Sequence, residues 1–131
     1  MRYILDTHVW IWCCLDSTKL SSKVESIINN NETNKLYISA ISMWETAKLV
    51  EKGKLELNIN ACEWINETLR FSRIDIIPLT SKIVYQSTIL PEIFHKDPAD
   101  QIISATSIVE QIPLITKDGK LQNYDFLNTI W

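Results

Sequence analysis

Near its start the chain carries three strand-favouring apolar residues, Tyr3-Ile4-Leu5, that stop at Asp6 and the polar pair Thr7-His8 before apolar residues resume. No polar residue alternates with the apolar ones, which is how a strand reads when both of its faces are covered. Such a strand belongs inside a sheet flanked by helices. An acid just past its end sits at the carboxyl edge of that sheet, the edge where open α/β proteins bind ligands. Asp6 is therefore read as the first member of an acidic pocket that the rest of the chain must complete.

The remaining pattern supplies the matching elements. Residues 2–6 form strand one, and Val9–Leu15 is a short helix, apolar nearly all round, that must be buried or lie in a protein interface. Leu20, Val24, Ile27 and Ile28 mark an amphipathic helix opened by Ser21 or Ser22 and ended by Asn29-Asn30-Asn31. Lys35–Ser39 is strand two. Ser42 and Glu45 have capping-box spacing, and Trp44, Ala47, Leu49 and Val50 carry an apolar stripe to a stop at Gly53. A helix opened at Asn60 contains Trp64, Leu69 and Phe71, and strand three runs from Ile74 to Leu79 around Pro78. Thr80 or Ser81 caps a helix with Ile83, Val84 and Ile89. Asp97 at N-cap and Pro98 at N1 start the clearest helix, with Ile102, Ile103, Ala105, Thr106 and Val109 facing the core. Pro113–Thr116 is strand four and Leu127–Trp131 a final edge strand. Strands alternating with helices give an α/β fold with a parallel sheet and helices on both faces, in one domain over residues 1–131.

Composition limits the function. A net charge of −3 provides no bulk basic field, so any nucleic acid must be bound through a local basic patch or through metal ions. Cys13, Cys14 and Cys62 are an odd set with no zinc spacing, and read as reduced, buried thiols of a cytoplasmic protein. No apolar run approaches the ~18 residues that span a bilayer, so no membrane partner is expected. With only Gly53 and Gly119, the chain cannot build a glycine-rich phosphate loop.

Four acids fall where such a sheet can gather them. Asp6 follows strand one, Asp118 follows strand four, Glu45 lies in the helix after strand two, and Asp100 in the first turn of the helix before strand four. Each has an ordinary alternative: a strand-end turn for Asp6, a capping-box partner for Glu45, a helix-dipole acid for Asp100, a turn residue for Asp118. Their joint placement is the argument. Carboxylates ~4–5 Å apart at an effective dielectric of ~20 repel by about 3–4 kcal/mol per pair. A divalent cation removes that conflict, and all-oxygen ligands point to Mg2+ or Mn2+. Such an ion serves phosphodiester hydrolysis. Lys48, Lys52 and Lys54 trail Glu45 and read either as a solvated helix face or as a lure for a polyanion; Trp10, Trp12, Trp44 and Trp64 read as core or interface residues.

These residues resemble a known family. Leu5-Asp6-Thr7-His8-Val9-Trp10-Ile11-Trp12 is similar to the first motif of PIN-domain ribonucleases of the VapC toxin type. Ser39–Ala47 is similar to their second motif, with Glu45 as its acid; His95–Thr106 resembles the third and Leu114–Asp118 the fourth. The resemblance implies a PIN-like three-layer α/β/α sandwich with strand order 3-2-1-4-5. It also implies a metal-dependent endoribonuclease acting on RNA, a homodimer, and inhibition by a VapB-type antitoxin. By motif position Asp6, Glu45, Asp100 and Asp118 take the catalytic and metal-binding roles. Asp97 stays the helix cap or an outer contact, and Thr116 holds water or a neighbouring acid. The family's usual Arg after the second Asp of motif three is here Gln101. The other readings are a non-catalytic PIN-like module for protein or RNA binding, and a phosphoacceptor receiver domain, which would need a second acid beside Asp6.

Overall fold

The structure, a computed structural model, describes residues 1–92 and 94–131. Five strands, β1 (Arg2–Leu5), β2 (Lys35–Ser39), β3 (Ile74–Ile77), β4 (Leu114–Ile115) and β5 (Thr129–Ile130), form one parallel sheet in the order β3-β2-β1-β4-β5. This is the order that the resemblance implied. β1 is central, and Leu5 pairs in register with Ile38 on one side and Ile115 on the other. The next residue on each strand is then Asp6, Ser39 and Thr116, so three polar side chains share one edge.

Helices α1 (Thr7–Leu15), α2 (Ser22–Asn29), α3 (Ile41–Glu51), α4 (Ala61–Phe71), α5 (Ser81–Thr88), α6 (Pro98–Glu110) and α7 (Gly119–Gln122) link and cover the strands. Strand side chains alternate between the two faces. Tyr3, Leu5, Ile38 and Ile115 pack with Trp10, Val24 and Trp64 of α1, α2 and α4. Ile4, Ile77 and Leu114 pack instead with Ile83, Ile103 and Leu121 of α5, α6 and α7. Both faces are covered, and the architecture is a three-layer sandwich.

Several boundaries move for physical reasons. α1 begins at Thr7, two residues before the expected Val9, because Asp6 takes the N-cap position and accepts from Thr7 N–H at 2.8 Å. β3 stops at Ile77, because Pro78 has no N–H for a ladder. The Ser42–Glu45 capping box does not form. β2 runs to Ser39 and α3 starts at Ile41, so Ser42 lies inside the helix, buried, with its hydroxyl bound to Thr7 Oγ1 at 2.8 Å. Ser39 Oγ instead accepts Ile41 N–H at 3.3 Å. Gly53 ends α3 as expected, with a positive φ of 71° that only glycine adopts without strain.

Some expected core residues are at the surface. Trp44, Phe71, Val84 and Ile89 are exposed, because the narrow apolar stripes of their helices reach the sheet through other residues. The cysteines are not buried: Cys14 and Cys62 are exposed and Cys13 half-buried, since each lies on a helix flank turned from the sheet. No helix among the described residues is long and apolar enough to cross a membrane.

Candidate active site at the carboxyl edge of the sheet

Asp6 is 3% exposed and fixed on several sides. Its backbone N–H continues the ladder to Ile115 O at 3.0 Å, Oδ1 accepts from Thr7 N–H, and Oδ2 accepts from Thr116 Oγ1 at 2.7 Å. His8 Nδ1 stands 3.4 Å from the same Oδ2. Burial pushes the Asp6 carboxyl up from its ordinary value, while His8 and the bonds from Thr116 and Thr7 pull it down and Asp118 adds to the rise.

Thr116 joins two acids. While its hydroxyl donates to Asp6, the same oxygen accepts Asp118 N–H at 3.0 Å. Of the two roles expected for Thr116, holding a neighbouring acid is the one its hydrogen bonds describe. Asp118 in turn caps α7, with Oδ1 accepting Lys120 N–H at 2.8 Å. On the other side Lys117 N–H donates to His8 Nε2 at 3.2 Å, an arrangement that puts the ring proton on Nδ1, facing Asp6.

The second half of the site comes from α3 and α6. Glu45, Asp97 and Asp100 each offer a carboxylate oxygen, and these oxygens lie within 4.8 Å of one another. Asp97 is the N-cap of α6, with Oδ1 accepting Asp100 N–H at 3.0 Å. Glu45 Oε1 is buried without a hydrogen-bond partner, an expensive state for a carboxylate oxygen unless something binds it. Burial raises the Glu45 carboxyl, with Asp6 and Asp97 adding to the rise and the nearby Thr7 hydroxyl offsetting part of it. Asp100 is pushed up to about 8, first by burial and then by the charges of Asp6, Asp97, Glu45 and Asp118. His95 Nε2 is 3.2 Å from Asp100 Oδ2, at an angle that makes no hydrogen bond.

All four expected acids thus act on one another electrostatically, although Asp6 and Asp118 stand outside the tight trio. Asp97 stands inside it, more than the helix cap that its position alone suggested. Its place three residues before Asp100, on the same first turn, was the available signal. Three hard oxygens at this spacing, with a buried unpartnered oxygen on Glu45, suit a dication of the Mg2+ or Mn2+ kind. By contrast, a cavity of about 300 Å³ lined by Ser107, Ile112 and Phe126 at the far side holds no titratable side chain.

The PIN domain family model matches residues 3–127, a span that includes all four acidic motifs. The chain belongs to the PIN domain family. Within it, the chain is VapC-like: Ribonuclease VapC22 of Mycobacterium tuberculosis (strain ATCC 25618 / H37Rv) is 31% identical over 121 residues, 92% of this chain and 90% of that protein. The fold is shared with VapBC2 from Rickettsia felis, solved bound to a DNA fragment from its promoter, at TM-score 0.71 and 20% identity, covering 99% of this chain and 98% of the other. VapBC-1 from nontypeable Haemophilus influenzae gives TM-score 0.70 at 18% identity over 99% and 97% of the two chains. A toxin-antitoxin complex from Klebsiella pneumoniae gives 0.63 at 17% identity over 98% and 96%.

Proposed function

We propose that this chain is a VapC-type toxin, a metal-dependent endoribonuclease that hydrolyses RNA phosphodiester bonds, with residues 1–131 acting as one PIN domain. The observation that carries the reading is the close carboxylate trio of Glu45, Asp97 and Asp100, with one Glu45 oxygen buried and unpartnered, in the electrostatic reach of a rigidly held Asp6. The oxygens of Glu45, Asp97 and Asp100 have the hardness and spacing to hold Mg2+ or Mn2+; by motif position Asp6, Glu45, Asp100 and Asp118 are read as the principal residues, with Asp97 contributing an oxygen. When bound, the dication compensates the carboxylate charge and that of the phosphodiester, and makes water a better nucleophile.

The protein's own part is orientation. Thr7 and Thr116 keep both oxygens of Asp6 in place, and Thr116 also fixes the backbone at Asp118. Glu45, with a free oxygen, accepts from the attacking water. The water oxygen bonds to phosphorus in line as the bond to the 3′ oxygen breaks; the proton that the water loses passes to Glu45 and on to solvent, and the leaving 3′ oxygen takes one up from solvent, giving 5′-phosphate and 3′-hydroxyl ends. Purified protein should cut RNA with Mn2+ present, and Asp6→Asn should not. RNA left whole by both would overturn the reading.

The chain is further read as a cytoplasmic homodimer restrained by a VapB-type antitoxin; the antitoxin is in keeping with the VapBC and toxin-antitoxin complexes that share its fold. Light scattering should give twice the 15.2 kDa of one chain. Growth arrest on expression, relieved by a co-expressed antitoxin, checks the partner. The alternative, a PIN-like module that binds without cutting, predicts no heat of Mn2+ binding by calorimetry.

A further inference from the structure

An acid site cannot attract RNA by itself. With a net charge of −3 and five carboxylates at one edge, the field facing a polyanion is repulsive until positive groups intervene. The structure puts such groups in one place. A groove of about 290 Å³ runs between α3 and the start of α6, beside Glu45 and Asp97, and Trp44, Lys48, Lys52 and Lys54 help to line it. Trp44 and Lys48 are spaced i, i+4 on one face of α3, and Lys52, the residue that caps the end of the helix, continues that row, each roughly 6 Å further along the axis.

Trp44 is 52% exposed, although an indole is among the most favourable side chains to bury. It directly precedes Glu45, so the helix holds its Cα–Cβ bond at a set direction relative to the acid site. Lys48 Nζ lies 5.8 Å from the ring centroid and is also paired to Glu51 at 3.0 Å, which anchors it beside the indole. Lys52 and Lys54 have no carboxylate in ion-pair range among the described residues. An aromatic face with unneutralised ammonium groups along a groove is the chemistry that holds a single strand: bases stack and phosphates pair.

We propose that this groove is a subsite for an unpaired nucleotide flanking the scissile phosphate of single-stranded RNA, with its base stacked on Trp44 and neighbouring phosphates on Lys52 and Lys54. The inference rests on the nuclease reading of the acid site, and adds to it the residues that hold the strand beside the scissile phosphate. A duplex fails here because its bases are already stacked on one another and present no free face to the indole.

Binding and cutting separate the two readings. Binding is measured by anisotropy of a labelled single-stranded RNA on Asp6→Asn protein, and cutting by kcat and KM of the otherwise native chain. Trp44→Ala should weaken binding and raise KM roughly 5- to 100-fold, the range of base–aromatic stacking, with kcat little changed. Trp44→Phe should restore most of that loss. Lys52→Ala with Lys54→Ala should lower the slope of log affinity against log salt by roughly 0.7 per lysine. Equal affinity for a duplex, unchanged binding in both variants, or a Trp44→Ala loss that Phe does not restore would overturn the proposal. So would a Trp44→Ala variant that loses only its antitoxin. RNA bound through Trp44 but never cut by native protein would sink the nuclease reading and leave the subsite standing.

Discussion

The bodies and the tips of the central strands are equally buried and follow opposite rules. Ile4, Leu5, Ile38, Leu114 and Ile115 are fully buried apolar side chains, and each such burial stabilises the fold by roughly 1.5–3 kcal/mol. One residue further along, Asp6, Ser39 and Thr116 are buried as deeply and polar. Buried polar groups oppose folding unless they are hydrogen-bonded. Asp6 and Thr116 satisfy each other, while Glu45 Oε1 is left open. Burial thus stabilises the body of the sheet, and at the tips it holds charge in readiness for a ligand.

Leu5 and Asp6 are adjacent in the chain, so substituting each separates the two rules. Asp6→Asn should reduce RNA cutting by roughly 10³-fold, the order expected for losing a group that acts in the transition state, and leave thermal stability equal or higher. Leu5→Ala should do the reverse. It should lower stability by about 2–5 kcal/mol and leave the activity per folded molecule nearly intact. Cleavage assays paired with denaturant titration of both variants measure this. Asp6→Asn losing as much stability as Leu5→Ala would mean that the tip supports the fold after all.

A further effect should appear with pH. The Asp100 carboxyl sits at about 8 in the folded protein against 3.8 for the free side chain, so the folded state binds the proton more tightly. Stability of the metal-free protein should therefore fall as pH rises from near 3.8 towards about 8, and level off above that. Asp100→Asn, which cannot ionise, should flatten that fall. Added Mn2+ should stabilise more with rising pH and release protons on binding, which calorimetry in buffers of different ionisation heat detects.

The tips were more legible in the sequence than the surfaces. Asp6, Asp100 and Asp118 announce themselves because each follows a strand or opens a helix, and the chain order alone fixes those positions. The sheet order followed from the motifs. Glu45 was harder, since Ser42 offered it a cap, and only the register of β2 against β1, which starts α3 at Ile41, removes that competitor. Asp97 was read as a cap because local spacing reports one hydrogen bond and not what the second oxygen faces. The exposure of Trp44, Phe71 and the cysteines was beyond reach. An apolar residue on a helix flank has the same local pattern whether or not another element covers it.

Gln101 gives the smallest effect and joins the two regions. It follows Asp100 on α6, where the family usually has Arg, and its side chain points back: Nε2 donates to His95 O at 3.2 Å. That bond ties the segment entering α6 to the helix, and so keeps Asp97 in its capping position and His95 against Asp100. A neutral amide does this without adding charge to the acid cluster, so the site keeps its full negative field. Gln101→Ala should therefore lower stability by about 0.5–1.5 kcal/mol, the net value of one such hydrogen bond, and weaken Mn2+ binding slightly. Gln101→Arg should keep the tether and bring a cation near Asp100, lowering its carboxyl towards the ordinary range and shallowing the pH dependence. A Gln101→Arg profile that overlays the native one would show that position 101 acts on the helix and not on the charge.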